Sequence, residues 1–105
     1  MSVTREQVNR FITRQFSDED IRELIDRHVE SDSFNTGIAR ARVRNTGVTV
    51  ATLIQELDAV GGDIQAAADD YDLSPEQVLA AVFFYWDNQT VIDAEITVRN
   101  SWFEH

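Results

Sequence analysis

Arg40, Arg42 and Arg44 stand on alternate positions, separated by Ala41 and Val43 and preceded by Ala39. In an extended strand successive side chains point to opposite faces, so the three guanidinium groups line one face and the small apolar residues the other. Such a row spans about 13 Å by strand rise, enough to meet two or three successive phosphates or one groove edge. Arginine suits that task because its planar fork contacts phosphate or guanine through two N–H groups at once. The competing reading is structural: in a chain of net charge −10 the same arginines can pair with acids of the second helix, over about residues 18–29, or of a partner subunit. Both readings stand at this point.

No other constellation suggests catalysis, a cofactor or a metal. His28 falls on the apolar side of a helical pattern and His105 is the last residue, so no paired-histidine ligand spacing exists. Asp70-Tyr71-Asp72 begins like a calcium loop, but Pro75 occupies the position that needs Gly and Ala81 the position of the bidentate Glu. Gly61-Gly62 precedes Asp63, whose carboxylate would repel a phosphate. With no Cys, there is no disulfide framework, thiolate site or cysteine nucleophile. The expectation is a protein without catalytic, cofactor-binding or metal-binding residues.

A third feature concerns assembly. The run Val78 to Trp86 is apolar around the whole helical circumference, whereas a surface helix of a small monomer keeps a wet side. Its extra faces need cover, either from the N-terminal helices or from a second protomer. The reading favours a homodimer, with Phe83, Phe84 and Trp86 as interface residues.

The elements that must position these groups follow from caps and periodicity. Thr4, Ser17 and Ser74 each sit three residues before a polar partner and next to an apolar staple, the pattern of a helix start. Pro75 strengthens the last of them. Helices are therefore expected at about residues 5–15 and 18–29. Residues 31–37 read as a connector, and Ile38 to Arg44 as the strand that carries the Arg row. Asn45-Thr46-Gly47 supplies a turn, with Val48 to Val50 returning as a short second strand. The stripe Val50, Leu53, Ile54, Leu57 and Val60 marks a helix closed by Gly61-Gly62, and Asp63 caps another over Ile64 to Tyr71. Asp72-Leu73-Ser74 then turns into the helix from Pro75, a helix-turn-helix pattern. Its second helix begins Pro75-Glu76-Gln77 amid Asp69, Asp70 and Asp72, a poor surface for phosphate. Asn88-Gln89-Thr90 interrupts the run, and a last helix follows.

Charge is divided unevenly. All nine basic residues are Arg; eight of them lie in residues 1–50 and balance eight acids, while residues 51–105 hold Arg99 against eleven acids. A surface dense in Asp and Glu without Lys is the composition of halophilic proteins, in which salt screens the self-repulsion. The 105 residues, 43% hydrophobic and 10% aromatic, suit a single domain. The longest apolar run falls well short of the roughly 18 residues needed to span a bilayer, and no apolar signal region opens the chain, so a cytoplasmic protein without membrane association is expected.

Three pieces of the chain, in this order, resemble a known family. They are Val43-Arg44-Asn45-Thr46-Gly47-Val48-Thr49-Val50, the segment Ile64 to Tyr71 with its Asp69-Asp70, and Leu73-Ser74-Pro75-Glu76-Gln77-Val78. Together, over about residues 37–96, they resemble the family called domain of unknown function 433, grouped with antitoxin-like proteins. Asn45 and Gly47 depart from it, standing where the family pattern has a Gly and an Arg. The resemblance implies a winged-helix-like fold, frequent dimerisation, and regulators associated with a toxin-type protein partner or DNA rather than enzymes. The full expectation is a mainly α winged-helix-like helix-turn-helix domain over 1–105, with one small β-hairpin and two extra N-terminal helices in residues 1–35. Its expected function is that of a non-enzymatic regulatory module of antitoxin type. A structural or protein-interaction adaptor without nucleic-acid binding is the alternative, and a small hydrolase a distant third.

Overall fold

The computed structural model describes residues 5–9, 12, 15–32 and 37–103. The described chain is mainly helical with one two-stranded antiparallel sheet. In order run α1 (Arg5–Asn9), α2 (Asp18–His28), β1 (Val29–Asp32), β2 (Gly37–Val43), α3 (Val50–Ala59), α4 (Ile64–Tyr71), α5 (Pro75–Asp87) and α6 (Gln89–Phe103).

Local chemistry sets most boundaries. The Ser17 and Ser74 hydroxyls accept from the backbone N–H groups of Asp20 and Gln77, whose side chains accept in return from the cap N–H groups. Two reciprocal capping boxes result, which occupy N–H groups that the helices leave unpaired. Asp63 caps α4 through the N–H of Ala66, at 3.1 Å. At the end of α3 the Gly62 N–H donates to Leu57 O at 2.7 Å and the Gly61 N–H to Asp58 O at 3.3 Å. This paired closure needs left-handed backbone, and Gly61 and Gly62 have φ of +67° and +87°. The same closure ends α4 at Asp72, φ 56°, with Leu73 N–H on Ala68 O.

Two expectations fail near the N-terminal half. The first helix does not reach residue 15: Arg5–Asn9 is helical, but Ile12, Gln15 and Phe16 are not. Ile12 and Phe16 pack against the core, and a few helical bonds do not outweigh such packing in a short segment. The Thr4 cap and Phe11 lie outside the described residues. The hairpin, secondly, is formed on the other side of the Arg strand. β2 pairs with β1, in the register Val29↔Val43 and Glu30↔Arg42 and then, across an irregularity, Asp32↔Gly37. The expected return strand Val48 to Val50 contributes only an isolated bridge between Arg42 and Thr49. The reason is local: Thr49 is the N-cap of α3, its Oγ1 accepting from the Thr52 N–H at 3.1 Å, so the chain turns into helix there.

One hydrophobic cluster joins Val8 of α1, Leu24 of α2, Val29, Ala41 and Val43 of the sheet, and residues of every later helix. The helix at its centre is α5, in which Val78 and Ala80 through Tyr85 are all buried. Phe83 meets Phe16 edge-on at 5.3 Å between ring centroids and Trp86 at 5.9 Å, and the Arg5 guanidinium lies 5.1 Å from the Trp86 ring. Phe83 and Phe84 are 7% and 8% exposed. Most of the apolar circumference of α5 is thus covered within the chain, by the N-terminal segment and α2 on one side and α3 and α4 on others, while Leu79 and Trp86 stay half-buried.

Candidate functional site

The site begins with β2. Ala41 and Val43 are fully buried while Arg40, Arg42 and Arg44 are exposed, so the alternation read from the sequence holds residue by residue. Burial of the small-residue face fixes which way the arginines point, since a one-residue slip would bury all three.

The three arginines are not equivalent. Arg44, just past the strand, sends Nη2 to the carbonyl oxygens of Asp26 and Val29, at 3.2 and 3.0 Å. These carbonyls close the C-terminal end of α2, where acceptors are unpaired and a cation is favoured. Arg42 donates from Nε to Glu30 Oε1 at 2.8 Å, and Arg44 Nη1 lies 3.6 Å from the other oxygen of the same carboxylate. Glu30 is reached because it stands directly opposite Arg42 in the β1–β2 register. Arg40 has no ion pair among the described residues. The row is therefore one anchoring arginine, one paired arginine and one open arginine.

Glu30 is the site residue that sequence reasoning missed. Residues 29–32, Val-Glu-Ser-Asp, hold a single apolar side chain and carry no strand periodicity, so the strand is created by pairing with β2. The acid that pairs with the arginines lies on the neighbouring strand β1 and not on α2.

Arg44→Ala should lower stability by about 1–2 kcal/mol, because two carbonyls at the end of α2 lose a charged donor. Arg44→Lys should recover only part of that, since an ammonium cannot reproduce the fork. Urea unfolding of the three proteins checks this; an Arg44→Ala midpoint equal to that of the parent would show that the tether carries no stability.

Three further titratable groups are shifted by their surroundings. Tyr85, fully buried, donates its hydroxyl to Asp93 Oδ1 at 2.7 Å and ties α5 to α6. Burial, then the bond and the charge of Asp93, hold the phenol far above its ordinary range, so it stays protonated. Glu56 is raised above the usual carboxylate range, chiefly by a hydrogen bond with Asp70, then by burial and by the charge of that residue. His28 is lowered, first by burial and then by neighbouring Arg27, against an opposing contribution from Glu76. Among the described residues no group of three or more His, Asp or Glu could hold a metal ion. None of the described helices is long and apolar enough to cross a membrane.

Residues 38–85, from the Arg strand to Tyr85, match the family described as protein of unknown function (DUF433). Over that stretch, a little under half of the chain, the sequence is similar to that family. The match is narrower than the span 37–96 expected from the motifs and leaves α1, α2, β1 and α6 outside, so Glu30 lies beyond the DUF433 segment while its partner Arg42 lies within it. No curated protein and no solved structure matches the chain.

The second helix of the helix-turn-helix pair is α5. Its exposed start offers Glu76, and the Gln77 side chain is engaged in the cap, its Oε1 2.7 Å from the Ser74 N–H. The sheet precedes this helix pair and α6 follows it.

Proposed function

We propose that this protein is a non-enzymatic regulatory module of antitoxin type, which works through a protein partner and contacts the nucleic-acid backbone through the Arg row. The observation that carries the nucleic-acid part is the exposure of Arg40 and Arg42 on the outer face of a ribbon whose inner face is buried. A rigid strand presents both cations at a fixed spacing, as phosphate contact requires. The contacting element in this reading is the ribbon. A winged-helix mode with α5 in the major groove has little support, because α5 is the core helix and its first turn is acidic or engaged in capping. The toxin-type partner rests on the family resemblance. A homodimer would have to use a surface other than Phe83 and Phe84, which are already buried.

The test is retention of duplex DNA across a salt series. Arg40→Ala combined with Arg42→Ala should abolish retention and flatten the dependence on log salt by roughly 0.9 per lost phosphate contact. Arg44 is kept in this variant because it anchors α2. Gln77→Ala should leave affinity nearly unchanged. Absence of retention by the parent protein at every salt concentration that keeps it folded would reject the nucleic-acid reading.

The second reading, an adaptor without nucleic-acid binding, is favoured by the Glu30 pair, which satisfies Arg42 inside the chain. Under it, the double variant and the parent behave alike on DNA.

A further inference from the structure

Glu30 places one carboxylate oxygen on each of two guanidinium groups, 2.8 Å from Arg42 Nε and 3.6 Å from Arg44 Nη1. Two oxygens facing two forks is also how the unesterified oxygens of a phosphodiester would sit between them. The side chains of Arg42, Arg44 and Glu30 are 54%, 43% and 34% exposed, so an outside anion can reach the fork. Arg44 stays in place when the carboxylate leaves, since Asp26 O and Val29 O hold its other nitrogen. The cation pair is thus preformed, with an internal anion seated on it.

We infer that Glu30 is an internal competitor: a nucleic-acid phosphate reaches Arg42 and Arg44 only by displacing its carboxylate, so Glu30 sets the affinity and salt dependence of the row. This rests on the nucleic-acid reading above and adds the residue that regulates it. An exposed ion pair of this kind is weak, so displacement is feasible. A lone phosphate gains only the fork in exchange, whereas a polymer also reaches Arg40 with its next phosphate. The device therefore selects a polyanion over a free anion.

Glu30→Gln keeps the side-chain length and removes the charge. Against a duplex of about 20 base pairs in about 0.1 M salt it should bind roughly tenfold more tightly than the parent, with a log-salt slope steeper by about 0.9, the value for one added phosphate contact. Glu30→Ala, which also removes the amide that could still hold Arg42, should move in the same direction. Glu19→Gln is the control for net charge. Glu19 is exposed in the first turn of α2, about 14 Å of helix from the His28 end of α2 that leads into β1, and so beyond the screening length of about 10 Å. It should change affinity by less than about twofold, because screening cuts off its influence at that distance. Millimolar inorganic phosphate should not compete with the duplex if the polymer is the ligand; displacement by it would reassign the fork to a free anion and overturn the selection argument. Circular dichroism melts of the Glu30 variants confirm that they fold. If the parent binds and Glu30→Gln binds no better than Glu19→Gln, the competitor is rejected while the nucleic-acid reading stands. If neither the parent nor the Glu30 variants bind, both fall. Binding by the Glu30 variants alone, with no retention of the parent at any salt concentration that keeps it folded, would likewise reject the nucleic-acid reading and the competitor with it.

Discussion

Phe84→Asp should abolish folding rather than split a complex. Phe84 is 8% exposed within a single chain and belongs to the cluster around α5. Truncating a buried Phe costs about 3–5 kcal/mol, and an unpaired carboxylate in its place costs several more. That total approaches or exceeds the roughly 5–15 kcal/mol by which such a domain is stable. Circular dichroism should show loss of helix at room temperature, and size exclusion an expanded chain. Phe84→Leu, which keeps most of the apolar volume, should remain folded at a cost of about 1–1.5 kcal/mol. A folded Phe84→Asp protein that differs from the parent only in oligomeric state would mean that this ring faces a partner and not its own core.

The second large effect is expected at Gly62, where two independent costs meet. Its φ of +87° disfavours any residue with a Cβ, and a Cβ built there would lie 2.9 Å from Gln7 Cβ and 3.0 Å from the Gln7 carbonyl carbon of α1. The backbone term is about 1–2 kcal/mol and the overpacking term about 1–3 kcal/mol, so Gly62→Ala should lose about 2–5 kcal/mol in denaturant unfolding. Gly61→Ala is the internal comparison, because Gly61 also has positive φ, +67°, but nothing lies within 4 Å of the added carbon. It should lose only the backbone term. Equal losses for the two variants would show that α1 does not dock on the α3–α4 turn.

Much of the architecture is dictated by short-range chemistry and so was legible in the sequence. The boxes at Ser17 and Ser74, the glycine closure of α3, the Asp63 cap and the boundaries of α4 and α5 each depend on residues within one turn of one another. Exposure of the Arg row belongs to the same class, because strand alternation is a property of the backbone and Ala41 and Val43 name the buried side. The family resemblance was legible for the same reason: its motifs are a turn, a helix and a capped helix start, all local.

Tertiary structure alone decided the rest. Val29-Glu30-Ser31-Asp32 carries no strand signal, and becomes β1 because β2 offers it a ladder. That pairing puts Glu30 across from Arg42, which turns three similar arginines into an anchor, a pair and an open cation. The cover over α5 was equally undetermined. An all-round apolar helix states only that every face must be buried, while the choice between its own N-terminal segment and a second copy depends on where the chain returns in space. Phe16 meets Phe83 across 67 residues of sequence and Arg5 meets Trp86 across 81. Local pattern fixes what each side chain needs; the path of the chain fixes which neighbour supplies it.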